Sequence, residues 1–320
     1  MYKERLEKLN ALVIGDVMVD DYCYGDVLGV SPEAPVLKVK KVDHRLDPGG
    51  AANVAVNLRN LGLNVELIGR VGEDHLGMML ESIVSDLGIK CRFFTDPSLP
   101  TIRKMRIIGN HRQHLLRLDT EKVETLTALD LKNGMPKIIQ AFDKPPDFII
   151  ISDYGKGFCN SELCKTVIRV AIDRDIPVYV DPKGSDWDKY VGATVICPNL
   201  KELEEVVGQS IPNEDNLVVA AAHKVYKRYF MKYLLVTRSE KGMTEIGNGD
   251  QIHVPPSVKE VYDVCGAGDT VIAVFASMLA LGYDHRISIH YAMKAAEVVI
   301  TKLGTVAITY EQLTDEVQSL

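Results

Sequence analysis

The sequence predicts an α/β fold: a mostly parallel central sheet flanked by helices, with a small β lid. Six short apolar runs, at 11–15, 65–68, 148–151, 178–180, 195–197 and 233–236, have the length and composition of strands buried on both faces. Most are followed by amphipathic stretches of ten or more residues, the rhythm of parallel strands joined by crossover helices. Two other segments, 36–42 (VLKVKKV) and 101–118 (TIRKMRIIGNHRQHLLRL), alternate apolar and polar residues and so read as half-exposed strands standing off the main sheet.

In chain order, 11–15 (ALVIG) is the first central strand and ends at Asp16. The lid segment 36–42 comes next, and then the small-residue run Pro48-Gly49-Gly50-Ala51-Ala52-Asn53 leads into a helical stretch, 54–61, that stops at Gly62. Segment 65–68 (VELI) supplies another strand, and 101–118 folds back through Gly109-Asn110 as a hairpin. The runs 148–151, 178–180, 195–197 and 233–236 continue the sheet, and the apolar run 271–281 has to be a buried helix. No Pro/Ser-rich linker divides the chain, so 1–320 reads as one domain with lid segments at about 17–46 and 91–120.

With 320 residues, 46% of them hydrophobic, the chain can bury a large core. Its formal charge of −7 does not suit a nucleic-acid partner, whose backbone needs a basic face. The first ten residues are charged and carry no apolar signal core, and 271–281 is too short to span a bilayer, so a cytoplasmic protein with no membrane partner is expected. The six cysteines (Cys23, Cys91, Cys159, Cys164, Cys197, Cys265) form no C-x-x-C pair, which argues against a disulfide framework and a zinc cluster. His111-x-x-His114 lies in the lid hairpin, on opposite strand faces or in a turn, and gives no metal spacing.

The chemistry concentrates at Asp263-Val264-Cys265-Gly266-Ala267-Gly268-Asp269-Thr270. Gly266 and Gly268 lack a Cβ, so the backbone can turn and the N–H groups of Gly266, Ala267, Gly268 and Asp269 can converge on one point at a helix N-terminus. Those donors and the helix dipole suit a polyphosphate, or the charge that develops as it is cleaved. Asp269 stands where a hydroxyl would lose its proton; an ordinary glycine turn opening a helix reads the same way. At the other glycine-rich run, Gly49 and Gly50 let a ligand approach the backbone and Asn53 can donate and accept toward hydroxyls, with a tight turn at a helix start as the plainer alternative.

Taken together, Gly49-Gly50-x-x-Asn53-x-Ala55, then Gly62 and Gly72, and about two hundred residues later Asp263-x-x-Gly266-Ala267-Gly268-Asp269, resemble the two signatures of the ribokinase-like (PfkB) carbohydrate kinases. The resemblance covers essentially the whole chain. It implies a ribokinase-like fold, ATP with Mg²⁺, and a catalytic role for Asp269 beside the anion-holding amides of Gly266, Ala267 and Gly268. Asn199-Leu200-Lys201-Glu202 looks like the family's N-x-x-E motif, which implies that Asn199 and Glu202 help to organise Mg²⁺, through water, and the phosphates. Without the family the same four residues read as a helix cap with a first-turn acid. Thr237-Arg238-Ser239-Glu240-Lys241-Gly242 is similar to the nucleotide loop, implying contacts from Thr237, Ser239 and Gly242, although Ser239 stands where many members have glycine. Cys265 replaces a frequent threonine and Val274 a small residue. A monovalent cation, K⁺, often lies beside the family's anion hole, which implies Asp263 and the Cys265 carbonyl as its holders.

Four segments are similar to the D-glycero-β-D-manno-heptose 7-phosphate kinases in particular: Gly15-Asp16-Val17-Met18-Val19-Asp20, Ser31-Pro32-Glu33-Ala34-Pro35-Val36, Ser152-Asp153-Tyr154-Gly155-Lys156-Gly157 and Asp181-Pro182-Lys183-Gly184. This implies transfer of phosphate from ATP to the anomeric hydroxyl of that sugar phosphate, in ADP-heptose, lipopolysaccharide-core or related heptose biosynthesis. Such kinases are often fused to a C-terminal nucleotidyltransferase; the 320 residues contain no H-x-G-H motif, and a kinase alone is expected. Asp20 is implied at the sugar, Asp153 is a further substrate candidate, and Asp16 either joins Asp20 or caps a turn.

An acidic protein that handles an anionic substrate has to gather positive charge locally. No acid lies between Asp96 and Asp119, whereas Arg103, Lys104, Arg106, Arg112 and Arg117 are basic. Lys104 and Arg106 share one strand face, and the hairpin can return Arg112 or Arg117 beside them, a cluster suited to a phosphate on the sugar. A charge-protected edge strand is the alternative. Lys156 and Lys183, each after a strand C-terminal end, are further phosphate candidates. The expected mechanism is in-line attack on the γ-phosphorus with Asp269 as a weak base that takes the proton late. Lid strands of this family commonly pair into a homodimer. A kinase of fructose 6-phosphate or ribose, and a non-catalytic sugar-binding relative, stay open; the lack of G-x-G-x-x-G and of G-x-x-x-x-G-K-[ST] removes the bases for a dehydrogenase and a P-loop enzyme.

Overall fold

The computed structural model describes residues 2–256, 265–302, 304 and 306–318. Its strands are β1 (Asn10–Gly15), β2 (Val17–Val30), β3 (Leu37–Gly50), β4 (Asn64–Gly72), β5 (Lys90–Asp96), β6 (Arg103–Ile108), β7 (His114–Thr120), β8 (Phe148–Ser152), β9 (Val178–Asp181), β10 (Val195–Ile196), β11 (Tyr233–Thr237), β12 (Met243–Gly247) and β13 (Asp250–Val254). Its helices are α1 (Tyr2–Leu6), α2 (Ala51–Asn60), α3 (His75–Asp86), α4 (Ala128–Gln140), α5 (Ser161–Ile172), α6 (Leu200–Val207), α7 (Asp215–Tyr229), α8 (Ala267–Ala280), α9 (His285–Ile300) and α10 (Tyr310–Gln318).

The main sheet has the order β13-β12-β11-β10-β9-β8-β1-β4-β5. From β5 to β11 every neighbouring pair is parallel, and β12 and β13 complete one edge as antiparallel strands. All six apolar runs of the sequence are strands here. They alternate in the way doubly covered strands must: Ala11 and Val13 of β1 pack in the core with α2, α8 and α9, whereas Leu12 and Ile14 pack in the core with α4 to α7. Strand order reverses at β1, which has β4 on one side and β8 on the other. Ligand crevices of open α/β sheets form outside the strand C-terminal ends at such a reversal. Asp16, Asp153 and Asp181 stand at the ends of β1, β8 and β9, in that place.

Helix α8 is buried on all sides from Asp269 to Met278, as its unbroken apolar run requires, so its N-terminus is held rigidly at this crevice. Among the described residues no helix is long and apolar enough to cross a membrane.

The lid is a four-stranded sheet in the order β3-β2-β6-β7. A tight turn at Asn110–Arg112 joins β6 to β7, and the Val27 N–H donates to Asn110 Oδ1 at 2.9 Å, which fastens that turn to β2. One expected boundary is corrected: 90–96 is not lid but the edge strand β5, paired in parallel with β4, because Phe93 and Phe94 bury themselves on opposite faces of the main sheet. Register sets Asp47, Asp20, Lys104 and Asp119 abreast in one row of the lid, and Arg45, Tyr22, Arg106 and Arg117 abreast in the next row of the same face. Met105, Ile107, Leu116 and Leu118 fall on the opposite face.

Candidate active site

Gly266, at φ 74°, turns the chain into α8. The N–H groups of Ala267, Gly268 and Asp269 then occupy the first helical turn, where no carbonyl of the helix can accept them. A Cβ built on Gly268 would meet nothing within 4 Å beyond its own helical turn and chain neighbours, so space lies open beside this residue.

Asp269 is only 2% exposed. The Tyr154 hydroxyl donates to its Oδ1 at 2.8 Å, and Asn53 Nδ2 donates to its Oδ2 at 2.7 Å. One turn further along α2, Asn57 Nδ2 donates to Asn53 O at 2.9 Å and to Asn53 Oδ1 at 3.3 Å. Asn57 Oδ1 in turn accepts from the Thr270 hydroxyl and from the Ile308 N–H, both at 3.1 Å. The amide of Asn53 is thereby oriented with its nitrogen toward the carboxylate. Burial pushes the Asp269 carboxyl up to about 7, with the two donors opposing the rise and the Asp20 charge adding to it. The sequence suggested a weak base under the helix dipole; desolvation outweighs the dipole and makes it a base matched to neutral pH.

Strand β2 carries Asp20 to the same place, and Arg106 Nη1 donates to its Oδ1 at 2.5 Å while the guanidinium lies 5.2 Å from the centre of the Tyr22 ring. The Gly49 backbone runs so close to Asp20 that an added Cβ would come 2.6 Å from Oδ2. Gly50, at φ 57°, opens α2, and a Cβ there would be 2.4 Å from the Asp16 carbonyl oxygen.

Several residues expected at the substrate are engaged elsewhere. The buried Asp16 carboxylate accepts from the N–H groups of Tyr154 (2.8 Å), Lys156 (3.0 Å) and Phe158 (3.2 Å), so it shapes the loop after β8 and has the turn-organising role that was the alternative. Asp153 accepts from Lys189 Nζ (2.5 Å), the Tyr190 hydroxyl (2.6 Å) and the Gly155 N–H (2.7 Å), which makes it a buried structural anchor. Lys104 pairs with Asp119 at 3.0 Å and with Glu121, and Lys156 pairs with Glu121 at 2.8 Å. Glu121 lies just past the acid-free window of the sequence and folds back to neutralise both lysines.

Asn199 and Glu202 form a capping box at the start of α6, each side chain accepting from the other's backbone N–H at 2.9 Å. Lys183 donates to the remaining Glu202 oxygen at 3.0 Å. Asp181 lies close by, and its carboxyl is pushed well up by burial and then by the charges of Glu202 and Asp269. Acid oxygens crowded in this way fit a hard cation such as Mg²⁺. Thr237 ends β11, with its N–H on the Pro198 carbonyl at 2.9 Å. Ser239 adopts φ 49° even though it is not glycine, so the turn keeps the left-handed conformation. Gly242 cannot be replaced so simply: at φ 77° its added Cβ would lie 2.1 Å from the Val254 carbonyl oxygen. Asp263 lies outside the described residues.

The sequence profile of the pfkB family carbohydrate kinases matches residues 8–312. The chain belongs to this family. Among its relatives is the protein named Bifunctional protein HldE of Klebsiella pneumoniae subsp. pneumoniae, 41% identical over 315 residues that make up 98% of this chain and 64% of the relative. The chain therefore spans just under two thirds of that protein's length. Similar solved structures include phosphofructokinase-2 from Escherichia coli in its tetrameric inhibited form, with TM-score 0.80 and 16% identity over 97% of this chain and 98% of that one. Arabidopsis thaliana ribokinase, complexed with ribose and ATP, has TM-score 0.73 and 20% identity over 97% and 99% of the two chains. The fold is ribokinase-like, and this pfkB family member is an ATP-dependent sugar kinase.

Two residues of the candidate site, Tyr154 and Asp181, are not marked by the sequence pattern. A tyrosine in a glycine-flanked loop, as Tyr154 is, gives no sign that it will reach a carboxylate 115 positions away. Asp181 does carry a usable signal, an acid at a strand C-terminal end beside Lys183.

Proposed function

We propose that this kinase transfers the γ-phosphoryl group of ATP to the anomeric hydroxyl of D-glycero-β-D-manno-heptose 7-phosphate, giving the 1,7-bisphosphate and ADP in heptose biosynthesis. The observation that carries the reading is Asp269, held by Asn53 and Tyr154 at the unsatisfied amide end of α8, with a row of arginines on the facing lid. The identity to HldE and the four segments similar to heptose 7-phosphate kinases support the choice of sugar.

In this reading Asp20, Gly49 and Gly50 line the sugar, and Asp269 accepts the anomeric proton as the hydroxyl attacks in line. The amides of Gly266, Ala267 and Gly268 stabilise charge growing on the transferred group. Thr237, Ser239 and Gly242 line the nucleotide. Asp181 and Glu202, with Asn199, hold Mg²⁺ through water, and that ion when bound supplies positive charge to the phosphates. A K⁺ ion beside Asp263 and the Cys265 carbonyl belongs to the same reading, and a rate indifferent to K⁺ would remove it. We read the chain as one kinase domain acting in the cytoplasm, where its nucleotide is found, as a homodimer joined through the lid. Leu116 and Leu118, 54% and 55% exposed, support that pairing surface, and sedimentation of a Leu118→Glu variant as a monomer tests it.

The decisive experiment is ³¹P NMR of the product formed from heptose 7-phosphate and ATP, where a new anomeric phosphate signal is expected. Turnover of fructose 6-phosphate or ribose alone would move the assignment to another sugar, and no turnover of any sugar would leave a binding protein.

A further inference from the structure

The face of the lid that carries Asp20 continues away from Asp269. Tyr22 and Tyr24 follow Asp20 along β2 at about 7 Å and about 13 Å. Beside Tyr24 is a cavity of about 550 Å³ lined by Tyr24, Asp43, Arg45, Arg112, Thr301 and Lys302. Its three cations come from three separate parts of the chain: strand β3, the turn between β6 and β7, and the end of α9. Arg45 pairs with Asp47 at 2.7 Å and lies 5.1 Å from the centre of the Tyr22 ring, which Arg106 also approaches. Among the described residues, neither Arg112 nor Lys302 has an acidic partner. The acid on the wall, Asp43, accepts the His44 N–H at 2.8 Å through one oxygen. Close to Asp269 the charges cancel, since Arg106 is matched by Asp20 and Lys104 by Asp119 and Glu121. The uncompensated positive charge of this face therefore lies at its far end.

We propose that this cavity receives the phosphate that the sugar already carries, between Arg45, Arg112 and Lys302, while the reacting hydroxyl lies at Asp269. The inference rests on the sugar-phosphate reading above. Arginine forks and a lysine ammonium converging from separate segments suit a dianion approached from several sides. A sugar without the phosphate would leave these cations to water.

The test is steady-state kinetics of Arg112→Ala, Lys302→Ala and the double variant, with thermal melts to establish that each is folded. In the double variant the KM for heptose 7-phosphate should rise ~10-fold or more relative to the KM for ATP, the loss expected for charge-assisted hydrogen bonds. Its preference for heptose 7-phosphate over unphosphorylated heptose should fall by a similar factor, and Lys302→Arg should retain it. An unchanged sugar-phosphate KM in the folded double variant overturns the proposal. So does a rise confined to the ATP KM, which would give the cavity to the nucleotide. If the unaltered enzyme turns over no sugar phosphate, the substrate reading has failed and this inference falls with it. If it turns over heptose 7-phosphate and the double variant matches it, the inference alone falls.

Discussion

Tyr154 and Asp269 meet at 2.8 Å across 115 positions of sequence, the phenol donating to one carboxylate oxygen while Asn53 donates to the other. Burial, reinforced by the Asp269 charge, raises the phenol well above its usual range, so Tyr154 stays protonated and remains a donor. Each oxygen of this carboxylate therefore has one fixed partner and keeps a second direction in which to take a proton.

The pH dependence of the reaction should report this carboxyl. With its value at about 7, kcat/KM should rise with pH through neutrality and level off above it. Both donors favour the ionised form, so Tyr154→Phe or Asn53→Ala should move that limb upward by roughly one unit. A limb that stays in place in both variants would show that another group controls it. Stability follows the opposite course: between the ordinary carboxylate range and about 7 the folded protein holds a proton that the unfolded chain has released. Across that window stability should decline with rising pH by about 1.4 kcal/mol per unit, and Asp269→Asn should lessen the slope. Denaturant titrations from pH 5 to 8 measure it.

Replacing Asp269 by Asn keeps the shape and removes the base. Turnover should fall ~10²–10⁴-fold while nucleotide affinity, measured by calorimetry, is retained. Near-normal turnover would transfer the proton-accepting role to another residue.

Glycines 268 and 242 should separate function from folding. A methyl group on Gly268 meets nothing within 4 Å beyond its own helical turn and chain neighbours, so Gly268→Ala should melt no lower than the parent, yet lose ~10²-fold or more in kcat because the proposed phosphoryl site adjoins this turn. Gly242→Ala has to strain a left-handed residue against the Val254 carbonyl and should cost about 1–3 kcal/mol of stability. Equal melting losses in the two would contradict this division.

Lys189 is the cation closest to the buried Asp153 carboxylate, at 2.5 Å. Lys189→Met leaves that charge uncompensated and should destabilise the fold by about 3–5 kcal/mol in urea unfolding. Adding Asp153→Asn should recover part of the loss; no recovery would mean that packing by the lysine stem, and not charge, was responsible.

The fold was legible because it depends on periodicity: the apolar runs of the main sheet and the alternating lid segments are local patterns, and each became a strand. Edge strand β5 is not legible in the same way, because KCRFFTD is short and mixed and only its pairing with β4 reveals that both phenylalanines are buried. In the site, motif residues such as Asp269 and Gly266 were readable since their backbone roles are encoded by adjacent glycines. Partnerships were not. Nothing local in the sequence says that Glu121 will neutralise Lys104 and Lys156, or that Asn53 will turn to Asp269, because those outcomes depend on strand register and helix placement over long separations.

Asp16 spends its carboxylate on three backbone N–H groups, and these hydrogen bonds fix the loop from which Tyr154 reaches across the crevice. The central strand is thus mechanically geared to the Asp269 carboxylate through one peptide group and one phenol. Selection at position 16 would then guard the tuning of a base in another part of the sequence, and a defect there would surface as a shifted pH profile in an enzyme that still folds and still takes up its sugar.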